Sequence, residues 1–166
     1  QPPLRTVMTP ESAAASTVVP VPGSGEPLAV PESVRLLIVD DDETYLTLCT
    51  RYLRKDAAQR YEIVTAADAE SALTACAATL FDCLLIDYGL RGGTGTELIG
   101  TLRSRLGSAL PPFVLISADE SAGAATQAVR SHAADFLSKR EVSASSLGRS
   151  IRNAVENRVD VRPTLS

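Results

Sequence analysis

Three largely apolar runs, at 34–39, 83–86 and 113–116, each end on a polar side chain: Asp40, Asp87 and Ser117. Runs this short that lack polar alternation read as strands covered on both faces, the habit of parallel sheets. Shorter strands are expected at 61–64 and 135–137. Amphipathic stretches lie between them. Tyr45, Leu48, Cys49, Tyr52 and Leu53 share one helical face. Asp68 can cap a helix with Leu73, Cys76 and Ala77 inward, and Ser143 one with Leu147, Ile151, Ala154 and Val155 inward. Leu98, Ile99, Leu102 and Leu106 mark a further helix, and Ala125, Ala128, Val129 and His132 a weak, alanine-rich one. Five β–α units in succession predict an α/β fold: a doubly wound (βα)5 chain with a five-stranded parallel sheet and right-handed crossovers. Ligands of such sheets bind at the carboxyl ends of the strands.

Composition divides the chain near residue 33. Seven of the ten prolines lie in residues 1–32 and none of the seven aromatics does. Such a stretch cannot bury enough apolar surface to offset its ordering entropy, so it reads as a disordered, proline-rich linker or tail. Residues 33–158 then form the folded domain and 159–166 a C-terminal tail. The chain starts with Gln, which reads as a fragment or a processed product. The tether suggests something attached upstream.

The net charge of −4 argues against direct nucleic-acid binding and against an anionic membrane partner. No apolar run reaches the roughly 20 residues a bilayer needs. Cys49, Cys76 and Cys83 have neither zinc-site nor disulfide spacing and read as small core residues in a reducing cytoplasm. An excess of Arg over Lys and 23 alanines suggest a GC-rich bacterial genome. The lone His132 reads as a partly buried residue at a helix end, with nothing beside it to activate it.

The chemistry gathers at the strand ends. Asp40, Asp41 and Asp42 follow the first strand, Asp87 the third, Ser117 the fourth, and Lys139 the fifth. Clustered carboxylates repel one another unless a cation neutralises them. All-oxygen ligands with room for water suit Mg2+. A lysine and a hydroxyl beside the metal-bound acids make a cradle for a phosphoryl group, which a carboxylate can attack in line.

Four segments, taken together, resemble the receiver domain of bacterial two-component response regulators, the chemotaxis-type (CheY-like), flavodoxin-like fold. They are residues 36–43, residues 83–90 with Gly95 eight after Asp87, residues 113–118, and residues 134–139. The resemblance implies a strand order of 2-1-3-4-5. It implies Asp87 as phosphoacceptor and Mg2+ held by Asp40, Asp41, Asp87 and the carbonyl of Gly89. It implies phosphoryl contacts from Ser117 and Lys139, a switch built on Ser117 and Phe136, and dephosphorylation tuned at Gly89 and Asp119. The expected partner is a histidine kinase or phosphotransfer protein, and the only catalysis is slow autophosphorylation and autodephosphorylation. The chain could be cut from a hybrid sensor kinase or a larger regulator.

Two positions depart from the family pattern. Arg140 stands where proline usually follows the lysine, so no cis bond is expected there. Arg91 stands where a proline commonly follows in the loop after Asp87, and Gly92, Gly93 and Gly95 soften that loop. The alternative function is a phosphorylation-independent interaction or dimerisation module, which would need none of the five chemical positions. A small-molecule hydrolase would need a cap over the strand ends, for which no insertion is long enough.

Overall fold

The computed structural model describes residues 30–118 and 122–158. Five strands form one parallel sheet: β1 (Ser33–Val39), β2 (Arg60–Ala66), β3 (Cys83–Asp87), β4 (Phe113–Ser117) and β5 (Asp135–Ser138). Their order is β2-β1-β3-β4-β5, as the resemblance implied. Five helices alternate with them: α1 (Glu43–Arg54), α2 (Ala69–Ala78), α3 (Gly95–Leu106), α4 (Ala122–Arg130) and α5 (Ala144–Glu156). The shorter strands predicted at 61–64 and 135–137 extend to Arg60–Ala66 and Asp135–Ser138, because backbone pairing continues past the apolar residues.

Successive strand residues point to opposite faces, which splits the core into two layers. Leu37, Val39, Leu84, Ile86, Phe113 and Leu115 face α2, α3 and α4. Leu36, Ile38, Cys83, Leu85, Val114 and Ile116 face α1 and α5. The strands in the middle of the sheet carry almost no polar side chain because neither of their faces meets water.

Three helices start with reciprocal capping boxes, at Asp68 with Ser71, Thr94 with Glu97, and Ser143 with Ser146. α5 buries all four residues predicted for it. α3 buries Leu98, Ile99 and Leu102 as predicted, α1 Cys49 and Leu53, and α2 Cys76, while the rest of the α1 and α2 faces differ. Leu46 is buried in α1 while Leu48 is only half-buried, and α2 turns Ala72 and Cys76 inward while Ala77 is exposed.

The largest shift is in α4. Its buried side chains are Ala124 and Ala128, while Ala125 is exposed and Val129 is 76% exposed. With alanine on nearly every side, the pattern held no strong phase. His132 lies beyond the helix, exposed, with φ of 66°. There it closes a Schellman turn: its N–H donates to the Val129 carbonyl and the Ala133 N–H to that of Ala128. It is therefore a turn residue at the surface and not a partly buried one. Cys49, Cys76 and Cys83 are free and buried, and burial pushes the Cys83 thiol up to about 12. Val30 packs against the α1–α5 layer, and the Gln59 side chain donates to the Pro31 and Glu32 carbonyls.

Candidate functional site: an acidic cleft at the strand ends

Cross-strand hydrogen bonds at the carboxyl ends involve all five strands. The Asp40 N–H donates to the Ala66 carbonyl at 3.0 Å, Tyr88 to Ile116 at 2.8 Å, and Lys139 to Ser117 at 2.9 Å. Asp40, Asp41 and Asp87 thereby come together, each with a carboxylate oxygen within 4.8 Å of the others. Asp40 is 1% exposed, Asp87 5% and Ser117 2%. Lys139 reaches in from the end of β5, its Nζ 2.7 Å from Asp40 Oδ2 and 3.3 Å from Asp87 Oδ2. The approach to Asp40 is an oblique ion pair, since Oδ2 of Asp40 is buried without a hydrogen bond.

The other carboxylate oxygens are positioned by backbone. Asp40 Oδ1 accepts from the Asp42 N–H at 2.8 Å, and Asp87 Oδ1 from the Gly89 N–H at 3.3 Å. The Asp42 side chain in turn caps α1 at Thr44 and Tyr45. The run of acids that opens α1 thus both starts the helix and aims Asp40.

The electrostatics follow from this crowding. Burial first, then the charge of Asp40, pushes the Asp87 carboxyl up to about 6, against the opposing pull of Lys139 and the Gly89 N–H. Burial disfavours the Lys139 ammonium, but the two carboxylates outweigh it and hold its pKa above the ordinary lysine value.

Gly95 permits the close approach of α3 to this edge. Its N–H donates to the Tyr88 carbonyl at 2.6 Å, and a Cβ there would lie 2.5 Å from the Asp87 carbonyl oxygen. Gly95→Ala must push α3 away from the end of β3. It is expected to lower unfolding free energy by about 2 kcal/mol, as overpacking does. Denaturant titration measures it.

The structure thus brings Asp40, Asp41, Asp87, Gly89, Ser117 and Lys139 to one edge. Phe136, three residues before Lys139, is half-buried and packs against the layer under α4. Asp119 lies outside the described residues. Two neighbours were missed. Tyr45, read as an inner helix residue, sets its ring under Lys139. Arg91, read only as a departure from pattern, brings Nε to 3.7 Å from Asp41 Oδ2. No spacing rule would have found either, because each contact joins segments remote in sequence.

A model of the response regulator receiver domain family matches residues 36–151. The chain belongs to this family. It is a receiver domain of two-component signal transduction. The response regulator PleD of Caulobacter vibrioides is 36% identical over 107 residues, which make up 64% of this chain and 23% of PleD. The chain therefore spans about a quarter of the curated relatives it matches. The signal receiver domain of NarL from Mycobacterium tuberculosis is 28% identical with a TM-score of 0.67, covering 77% of this chain and 100% of that one. A CheY-like receiver from Methanospirillum hungatei, 24% identical, shares the fold at a TM-score of 0.64, over 74% and 93% of the two chains. Receiver domains are signalling modules that interact with histidine kinases or phosphotransfer proteins, sit in larger regulators, and generally bind Mg2+ at an acidic pocket. Among the described residues of this receiver, no helix is long and apolar enough to cross a membrane.

Proposed function

We propose that this receiver takes a phosphoryl group onto Asp87 from a histidine kinase or phosphotransfer protein, with Mg2+, and changes conformation in response. The observation that carries the reading is the pairing of a buried ammonium with two of three clustered carboxylates at one sheet edge. An edge built only for protein contact would have no use for buried like charges.

The residues fit a divalent cation. The donors are all oxygens, and three carboxylates each bring one to within 4.8 Å of the others. Asp40, Asp41, Asp87 and the Gly89 carbonyl would hold Mg2+, which would neutralise the acids and draw charge from the phosphoryl oxygens. Asp87 is the nucleophile. The Gly89 N–H orients one of its oxygens and leaves the other for attack on phosphorus. Lys139, already 3.3 Å from that second oxygen, offsets the charge of the incoming group. Ser117, at the end of β4, donates its hydroxyl to a phosphoryl oxygen, and Phe136 turns inward as Ser117 moves. Gly89 and Asp119 govern how water reaches the acyl phosphate, and hydrolysis there is slow. The folded receiver is residues 33–158. The cytoplasm, where kinases and Mg2+ are found, suits this chemistry.

The test is incubation with acetyl phosphate, with and without Mg2+, read by intact mass. The expected result is a gain of one phosphoryl mass that requires the cation. The absence of both an adduct and Mg2+ binding would favour the phosphorylation-independent module.

A further inference from the structure

A third neighbour meets the Lys139 ammonium. Besides Asp40 and Asp87, Nζ lies 4.3 Å from the centroid of the Tyr45 ring. Tyr45 is in the first turn of α1, where Asp42 Oδ1 lies 3.4 Å from its backbone nitrogen. The Asp42 N–H also donates to Asp40 Oδ1. One short stretch of backbone therefore sets both the carboxylate and the ring that flank the ammonium. The Tyr45 hydroxyl is buried against the Cys49 thiol without a well-formed hydrogen bond. A buried hydroxyl left in that state costs the fold more than it contributes. What this side chain offers the site is the face of its ring.

We infer that Tyr45 is a positioning residue for phosphoryl transfer, its ring face fixing the Lys139 ammonium where it meets the group on Asp87. This rests on the reading of Asp87 as phosphoacceptor. A lysine side chain is long and flexible, and Asp40 holds it closer than Asp87 does, at 2.7 Å against 3.3 Å. Left to the carboxylates alone, the ammonium would settle on Asp40, the nearer of the two, and away from the oxygen that must attack. A cation gains from staying over a ring face whatever the charge of Asp87, and more so where water is partly excluded. The ring thus restricts the lysine to a position within reach of Asp87 before the reaction.

The experiment compares Tyr45→Leu, Tyr45→Phe and wild type by Lys139 proton chemical shifts and by phosphorylation rate with acetyl phosphate. Wild type and Tyr45→Phe should show an upfield ring-current shift on the Lys139 side-chain protons next to Nζ, absent in Tyr45→Leu. Tyr45→Leu should be phosphorylated roughly five- to tenfold more slowly, the scale of a partly desolvated cation–π contact. Its Mg2+ affinity should match wild type, since the lysine is no metal ligand. In a Lys139→Met background, Tyr45→Leu should cause no further slowing. Tyr45→Met serves if the leucine variant does not fold. A wild-type rate in Tyr45→Leu, equal slowing in Tyr45→Phe, or undiminished slowing without Lys139 would each overturn the inference. A wild type that takes no phosphoryl group sinks the functional reading as well.

Discussion

Asp87→Asn is expected to abolish the Mg2+-dependent phosphoryl adduct and, without metal, to make the domain more stable. The amide cannot attack phosphorus, but its carbonyl can still accept from the Gly89 N–H, so the backbone keeps its hydrogen bond. What disappears is a buried charge 5% exposed beside Asp40. The gain is expected to be about 1 kcal/mol near neutral pH, the raised pKa being discounted for water reaching the cleft. The pH dependence follows from the direction of the shift. Burial and Asp40 raise the folded-state pKa of Asp87 to about 6, while the unfolded chain keeps the ordinary value of about 4. Between those values the folded domain binds more protons than the unfolded chain. Metal-free wild type should therefore lose stability as pH rises from about 4 to about 6 and level off above. Asp87→Asn should flatten that slope. Mg2+ should raise the wild-type unfolding midpoint at neutral pH and do so less below pH 6, where a proton occupies Asp87. Thermal unfolding across pH, with and without Mg2+, measures all of it. A slope of the opposite sign would show that Lys139 dominates the pair.

Lys139→Met should act in the reverse direction. Methionine keeps the apolar stem and removes the charge. Asp40 and Asp87 then lose the ammonium that spans them, and breaking a buried ion pair by one partner is strongly destabilising. Because the lysine side chain is 16% exposed and the cleft admits water, the expected loss is about 2–3 kcal/mol. Saturating Mg2+ should recover much of it, since the cation supplies the missing positive charge. The phosphorylation rate should not recover. A group offsetting developing charge is worth on the order of 100-fold in rate, and a cation held by the acids would not replace the ammonium at the transferring group. Stability that returns with Mg2+ while the rate stays low would separate the structural and chemical roles of one side chain.

The parallel sheet was legible because its central strands are short and largely apolar, which few other structures tolerate. The acids and the lysine were legible because each directly follows a strand, so topology alone delivers them to one edge. α4 was misread in phase because alanines present nearly the same apolar surface on every side. Leu46 was missed because the predicted α1 face was centred one residue away, on Tyr45 and Leu48. Tyr45 was legible as a helix residue but not as a partner of Lys139. That contact depends on the ring's rotamer and on the folding of the 93 residues between Tyr45 and Lys139, neither of which a local pattern records.

The thin interior of α4 sets where the domain yields. α5 buries Leu147, Ile151 and Val155, whereas α4 anchors itself with the methyl groups of Ala124 and Ala128. Burial of apolar area scales at about 25 cal/mol per Å2, so α4 is held by far less than its opposite number. In hydrogen exchange, the amides of α4 should open at a free energy well below the global one, ahead of β4 and α5. That soft helix begins a few residues beyond Ser117. Under the proposed switch, a displaced Ser117 hydroxyl would act close to a helix held by little apolar burial.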